Sequence, residues 1–270
     1  MKQLLLLFSL SLFINLQAGA QELAKKAQEA EEKEGVNDVA LAFLALKNDK
    51  LPNKEALVKA LTEQFGEKVK LKEVEIDKEK NSVSLTINGH SCVMMQVGRP
   101  IPWGDLEGPC ATAYFWKEAT EVMKAHKDHY ICTMFGGKSK YLQTLHLTKA
   151  MAALAKTSDT AGIYWGNATL VTEPGTFIER AREANEKNPP LTLWVDFRMW
   201  NGENKKFNVV TTGLDKFGKM DVEIIDSERK RSDVMNMIMG AAYVQLLGDV
   251  FKDGDTIGHD AKTKIPTKHA

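Results

Sequence analysis

The pattern of hydrophobic and polar positions predicts a well-defined helix early in the chain. After Asn53, apolar residues recur three and four positions apart and share one helix face: Leu57, Val58, Leu61 and Phe65. Asn53 is a residue type that caps helix N-termini, and Gly66 stands where a glycine commonly ends a helix. We therefore predict a helix over residues 54–65.

Alternation predicts a β-hairpin in the next part of the chain. Apolar and polar side chains alternate from residue 83 to residue 87, as they do in a strand with one buried face. Asn88-Gly89 follows, and this dipeptide favours the type I′ turn that joins two strands through two residues. The return strand is predicted over residues 90–97.

The remaining pattern predicts further strands and helices. Strands are expected at residues 39–46, 69–76, 129–135, 161–165, 191–200, 207–212 and 220–225. Helices are expected at residues 111–126, 141–156 and 232–251, with another that begins at Pro174. Hairpins and meanders between the helices predict an α+β (mixed α/β) protein whose mixed sheets are packed by about five helices.

The order of these elements suggests two similar halves, near residues 36–127 and 128–252. Each half would end in a meander followed by a helix, although no repeated sequence accompanies this order. The helix at residues 232–251 is apolar on nearly every side, so we expect it to be buried core.

The first 20 residues have the pattern of a cleavable signal peptide. Lys2 supplies a positive charge, and residues 4–16 form a short apolar run. Ala18-Gly19-Ala20 offers the small residues that a cleavage site needs, so the mature chain is expected to begin at Gln21. The run is too short to span a hydrocarbon core of roughly 30 Å as a helix. A buried N-terminal helix is the alternative.

The mature chain is expected to be soluble and to work in the periplasm or outside the cell. Residues 21–35 are almost wholly charged residues and alanine, which is typical of an exposed leader. Residues 36–270 are predicted to form a single globular α/β domain. Beyond the signal peptide, no stretch has the length of apolar residues that a membrane span needs, so none is expected after cleavage.

Charge excludes one class of partner. The chain has 36 basic and 36 acidic residues, which leaves a formal net charge of +0. A nucleic-acid-binding protein normally shows an excess of basic residues, so no nucleic-acid partner is expected.

Three cysteines are present, which is too few for a disulfide scaffold and allows at most one internal disulfide. Cys92 falls opposite Leu85 in the predicted hairpin, and Cys132 lies in an apolar strand, so both are predicted to be small core residues. Cys110 directly precedes the helix expected from residue 111. A helix N-terminus lowers a thiol pKa, so Cys110 is a conceivable nucleophile.

The segment at residues 100–110 concentrates residue types that bind ligands. Trp103, Asp105 and Glu107 are predicted to lie in a loop that joins a strand to a helix, which is a common position for ligand sites. A structural loop, in which the acids cap turns and the indole covers the core, is the alternative. Trp165 ends another predicted strand in the same way.

The strand predicted at residues 191–200 supplies a second candidate surface. Alternation places Trp194, Asp196, Arg198 and Trp200 on one face of it. This face is either a binding platform or a half-covered sheet face with a structural ion pair. The candidate ligand-binding residues are therefore Trp103, Asp105, Glu107, Trp165, Asp196 and Arg198, and no catalytic residue is assigned.

No metal site or cofactor is expected from the motifs. His126, His129 and Cys132 have ligand-like spacing, but they fall on a predicted helix end and a predicted strand, which does not imply one tetrahedral site. Residues 136–139 resemble only half of a phosphate-binding loop, and residues 253–264 lack ligands of a calcium loop.

Four stretches resemble an uncharacterised bacterial family, domain of unknown function 4261. They are residues 100–109, residues 162–166, residues 193–198 together with 211–214, and residues 253–258. The resemblance implies no reaction, ligand or catalytic residue. Members of the family mostly lack a signal peptide, so the export signal departs from the family pattern.

The first functional hypothesis is an exported binding or interaction module for a small molecule, a peptide or another protein. A hydrolase-type enzyme that uses Asp105, Glu107 or Cys110 is the alternative. A pocket that unites the 100–110 segment with Arg198 would favour the enzyme. A flat surface with exposed aromatic residues would favour the binding module.

Overall fold

The computed structural model describes residues 39–66, 71–137, 139–248, 251–252, 254, 256–257 and 265–266. Residues from Val39 to Ala270 form one compact unit. The predicted signal peptide and the charged leader lie outside the described residues. In the part of the chain that the structure describes, no helix has the length and apolar character to cross a membrane.

The described residues contain seven α-helices and twelve strands, which confirms the α+β class with more helices than expected. The strands are β1 Ala40–Leu46, β2 Leu71–Asp77, β3 Ser82–Ile87, β4 His90–Gln96, β5 Asp128–Phe135, β6 Thr160–Trp165, β7 Leu170–Thr172, β8 Asp196–Asn201, β9 Phe207–Thr212, β10 Glu223–Ser227, β11 Thr256–Ile257 and β12 Ile265–Pro266. The helices are α1 Lys54–Phe65, α2 Trp103–Ala111, α3 Ala119–Ala125, α4 Lys140–Thr157, α5 Pro174–Glu183, α6 Leu191–Trp194 and α7 Arg231–Leu247.

A seven-stranded antiparallel sheet forms the centre of the fold, in the order β2-β3-β4-β5-β1-β6-β7. Strands β8, β9 and β10 form a separate three-stranded sheet, and β11 pairs with β12. Strand β5, which follows residue 127, lies between β4 and β1, so both suggested halves contribute to one sheet. The duplication itself stays a prediction.

Helix α4 covers one face of the large sheet, which we call the inner face. Residues Gln143–Ala155 of this helix are all buried, and the helix contacts β1, β4 and β5. The core on this side includes fully buried side chains from all four elements: Leu44, Met94, Tyr130, Met134, Leu147 and Met151. Burying each such side chain contributes roughly 1.5–3 kcal/mol, so this core is the main stabilising feature of the fold.

The local signals at residues 53–66 and 88–89 are confirmed. The Asn53 side chain accepts a hydrogen bond of 3.0 Å from the Ala56 amide at the start of α1. The φ angles of 50° at Asn88 and 82° at Gly89 fit the predicted type I′ hairpin turn. Cys92 pairs with Leu85 across the hairpin, as the two-residue turn requires.

The prediction of one strand over residues 191–200 is wrong. Residues Leu191–Trp194 form the short helix α6, which follows Pro190, and the strand begins at Asp196. The Leu193 amide donates to the Pro190 carbonyl at 2.8 Å, and Pro190 is the N-cap of this helix. Trp194 is therefore fully buried, and its indole donates to the Thr148 hydroxyl at 2.8 Å rather than lying beside Arg198.

The prediction of a loop over residues 100–110 is also wrong. Helix α2 begins at Trp103 and includes Pro109 in its last turn, and α3 is a separate helix after a turn. Leu106 and Cys110 are four positions apart and are both buried on one side of α2. This spacing is helical, although Gly108 and Pro109 both have low helix propensity.

Helix α7 is less buried than predicted. Its buried residues include Val234 and Ile238, which pack with Phe207 and Val209 of the small sheet. Val244 and Leu247 at its C-terminal end are exposed. The apolar pattern around the helix therefore reflects one buried face and one exposed apolar face.

Candidate functional site

The two exposed acids of α2 point in different directions. Asp105 and Glu107 are two residues apart, which separates their side chains by about 200° around a helix. Burial raises the pKa of Tyr164 on β6, and the negative charge of Asp105 raises it by a smaller amount. Trp103 is partly buried, and the Lys124 ammonium lies 4.5 Å from the centre of its indole ring.

Asp196 and Arg198, from the strand predicted at residues 191–200, form an ion pair with each other. The Arg198 Nε donates to the Asp196 carboxylate at 3.0 Å, and the same guanidinium contacts the Thr169 hydroxyl in the turn after β6. Burial raises the pKa of Asp196, and Arg198 opposes that rise. Trp165 is buried in the main core. Among the described residues, no hydrogen bond or ion pair joins Asp105 or Glu107 to Arg198.

The position of Cys110 does not favour a nucleophile. It lies near the C-terminal end of α2, not before a helix as predicted, and burial raises the pKa of its thiol to about 11. Burial also raises the pKa of Cys92 to about 12 and that of Cys132 well above its usual value. All three cysteines are buried free thiols that stay protonated at neutral pH.

The opposite face of the seven-stranded sheet, the outer face, is covered at one end by α2 and α3. These helices contact β7 and β6, and their side chains form a second core with Ala45, Ala161 and Val171. Gly162 packs closely there, because a Cβ atom at this position would lie 2.5 Å from the Met123 sulfur and 2.8 Å from the Trp116 ring, so these side chains would have to shift.

The rest of the outer face carries a set of apolar side chains that we call the apolar platform. It consists of Leu41 and Phe43 on β1, Ile131 on β5, and Val93 and Met95 on β4. All five are partly exposed. Within the described residues, only Phe43 among them packs against a hydrophobic core.

Strand register arranges the platform in two rows. Phe43 pairs with Ile131, which pairs with Met95 on the other side. The next row joins Leu41 to Val93 through Thr133, whose hydroxyl donates to the Val93 carbonyl at 2.9 Å. Because that hydroxyl is already bonded to the backbone, the platform surface is mainly apolar.

The borders of the platform are polar on one side and aromatic on the other. Strand β3 presents Ser82, Ser84 and Thr86 on this face, so the apolar surface ends there. At the other border, the Phe43 ring stacks on Tyr164 with 5.6 Å between ring centres. Asp105 of α2 lies close enough to this border for its charge to act on the Tyr164 hydroxyl.

The segment that leads to α2 is held by three buried side chains. The Asp128 carboxylate accepts hydrogen bonds from the amides of Gly98 at 2.7 Å and Arg99 at 3.1 Å. His129 Nδ1 is 2.6 Å from the Arg99 carbonyl, and His126 Nε2 accepts from the Ile101 amide at 2.7 Å. These histidines position the backbone. In the described part of the chain, no group of three or more His, Cys, Asp or Glu side chains is arranged for a metal ion.

His90, together with His146 and Lys149 of α4, forms a cluster of buried polar side chains that was not predicted from the sequence. The Nδ1 atoms of His90 and His146 are 3.1 Å apart, and His90 Nε2 is buried without a partner among the described residues. Lys149 donates to the carbonyls of Gln64 at 2.8 Å and Ala181 at 3.2 Å, near the C-terminal ends of α1 and α5. Only helix periodicity could have placed His146 and Lys149 on one side of α4.

The platform was also missed, although the sequence carries a signal for it. Residues 92–95 of β4 and residues 130–132 of β5 are unbroken apolar runs. Such runs are typical of strands that are covered on both faces. Among the described elements, α4 covers these two strands on the inner face, and their outer face stays partly exposed.

Comparison with known proteins gives one match. The model of a family described as a domain of unknown function (DUF4261) matches residues 210–270, which supports the resemblance in this part of the chain. The match includes β10 and α7, but it does not include the platform. No curated protein and no solved structure matches the chain.

Proposed function

We propose that this protein is an interaction module whose apolar platform binds an apolar segment of a partner protein. The observation that carries the proposal is the register of Leu41, Val93, Met95 and Ile131 on three neighbouring strands, outside the described hydrophobic cores. A sheet face of this composition is stabilised by contact with another element. A contiguous apolar surface on a folded protein commonly marks an interaction site.

The shape of the surface supports a protein partner over a small molecule. Small ligands bind in concave sites that enclose most of their surface. The platform lies on the face of a sheet, and one pocket among the described residues lies elsewhere, beside Lys47, Lys127 and Asp128. An apolar sheet face offers contact area to a protein segment.

The hydrolase alternative has less support. Cys110 is buried and protonated at neutral pH, so its thiol is a poor nucleophile. Asp105 and Glu107 lie on different sides of α2, and no hydrogen bond or ion pair joins either of them to Arg198 among the described residues. Two carboxylates that point apart do not face one substrate bond, as a hydrolytic site needs.

We also propose that the protein acts after export, in the periplasm or outside the cell. The support is the charged start, the short apolar run and the small residues at Ala18-Gly19-Ala20. The partner would then be a protein of the same compartment.

Substitutions on the platform test the proposed function. Short random peptides displayed on phage would first be selected on the wild-type protein. Ile131→Thr and Val93→Thr keep a β-branched side chain and should each weaken binding of the selected peptides by about tenfold, because an apolar contact is lost. Affinity would be measured by biolayer interferometry, with thermal unfolding to verify the fold of each variant.

Ile225→Thr is the matched control. Ile225 lies on β10 in the small sheet and is 48% exposed, so the same chemical change there should leave the affinity within about twofold. Failure to enrich any peptide would contradict the proposal. So would a folded Ile131→Thr variant that binds the selected peptides as tightly as the wild-type protein.

A further inference from the structure

The platform is as wide as one α-helix. Its side chains lie on β1, β5 and β4, three adjacent strands whose outer members are separated by roughly 10 Å. An α-helix with its side chains is about 10–12 Å in diameter. On one side β3 presents serine and threonine, and on the other side α2 and α3 cover β6 and β7. Among the described residues, the apolar width between these two borders therefore matches a single helix.

The inner face of the same strands shows how such a surface is covered in this fold. Helix α4 contacts β5, β1 and β4, and its side chains pack into one core with theirs. A partner strand would add to an edge of the sheet, at β2 or β7, and would leave the face uncovered. A helix is the element that buries a sheet face.

The charge beside the platform indicates which kind of partner helix would bind there. Asp105 is exposed at the aromatic border, and within the described residues it forms no side-chain hydrogen bond or ion pair. Trp103 on the same helix already faces a cation, Lys124. A basic side chain of the partner would therefore pair with the free carboxylate of Asp105.

We propose that the platform receives one amphipathic α-helix of a partner protein, oriented by a lysine or arginine that pairs with Asp105. The apolar face of this helix contacts Phe43, Ile131, Met95 and Val93. This inference rests on the proposed function, because it specifies the partner of the same surface.

Three synthetic peptides of about 14 residues, or about 21 Å as a helix, test the inference. The first is an amphipathic helix with a leucine face and one lysine near one end, and the second has glutamate in place of that lysine. The third has the composition of the first, with a proline in place of a central residue. Each would carry a fluorophore, and its affinity would be measured by fluorescence anisotropy.

The wild-type protein should bind the lysine peptide with gain of helical circular dichroism. The proline peptide should bind at least about tenfold more weakly, because proline breaks the helix. The lysine peptide should bind about three- to fivefold more tightly than the glutamate peptide, as expected for an exposed ion pair. Asp105→Asn should abolish this preference, and Glu107→Gln, the matched control on the same helix, should retain it.

The outcomes separate this inference from the proposed function. Equal binding of the lysine and proline peptides, with both weakened by Ile131→Thr, would overturn the helical partner and leave the interaction surface supported. A lysine preference that persists in Asp105→Asn would overturn the role of Asp105. If Ile131→Thr binds every peptide as the wild-type protein does, both proposals fail.

Discussion

At the scale of single residues, the most unusual feature is the buried pair of imidazoles under α4. His90 is 4% exposed and His146 is 8% exposed, and they meet through their Nδ1 atoms. Burial, together with the positive charges of His90 and Lys149, lowers the pKa of His146 to about 4. Burial also lowers the pKa of His90. Both imidazoles are therefore neutral at pH 7.

This pair predicts a loss of stability in mild acid. An unfolded histidine has a pKa of about 6.5, so the unfolded chain binds more protons than the fold between pH 6.5 and the lowered folded value. The contribution of His146 is intact above about pH 6.5 and is lost as the pH falls toward about 4. From pH 7 to pH 4.5 this loss amounts to about 2 kcal/mol.

His146→Gln tests the prediction. Glutamine does not titrate and still offers a hydrogen-bonding group to His90. The free energy of unfolding, measured with urea at both pH values, should fall by less in the variant than in the wild-type protein. Parallel pH profiles for the two proteins would show that His146 is not the titrating group.

Residues with strong local preferences were predictable from the sequence. Asn53 and Asn88-Gly89 act through their own backbone and their near neighbours, so their roles do not depend on the rest of the fold. The pairing of Asp196 with Arg198 followed from strand alternation, although the strand itself is shorter than predicted. By contrast, His90 and His146 are 56 positions apart, and no local pattern brings them together.

At the scale of elements, the errors come from proline and glycine. Gly108 and Pro109 have low helix propensity, but the burial of Leu106 and Cys110 on one side stabilises a helix through the same segment. Residues Leu191–Trp194 form a short helix with Pro190 as its N-cap, in a run that alternates like a strand. Tertiary burial outweighed local preference in the first segment, and Leu191, Leu193 and Trp194 are likewise buried in the second.

The candidate site was only partly predictable at this scale. The 100–110 segment was singled out for Trp103 and Asp105, and the structure places it at the border of the platform. The platform itself depends on which strands are neighbours. Strand β1 lies between β5 and β6 through long-range pairing, which no local pattern specifies.

At the scale of the whole molecule, export is the prediction that decides where a partner is met. Intact-mass measurement on protein from the producing cell should show loss of residues 1–20 and a new N-terminus at Gln21, because Ala18-Gly19-Ala20 fits a cleavage site. Full-length protein recovered from the cytoplasm would contradict export. Platform binding by the protein itself would be unaffected by that result.

The resemblance and the proposed interaction surface lie in different parts of the chain. The matched family segment, residues 210–270, includes β10 and α7. The platform is built from β1, β4 and β5 of the large sheet. The family match therefore gives no information about what the platform binds.

Methionine oxidation gives the most direct test of the platform as the interaction surface. Met95 is partly exposed on the platform, and Met220 is 38% exposed outside it. Hydrogen peroxide would be added to the protein with and without a bound phage-selected peptide, and the oxidation rate of each methionine would be measured by mass spectrometry. Bound peptide should slow oxidation of Met95 by about fivefold or more and leave Met220 unchanged, because contact excludes the oxidant from the platform. Unchanged oxidation of Met95 in the saturated complex would contradict binding at the platform.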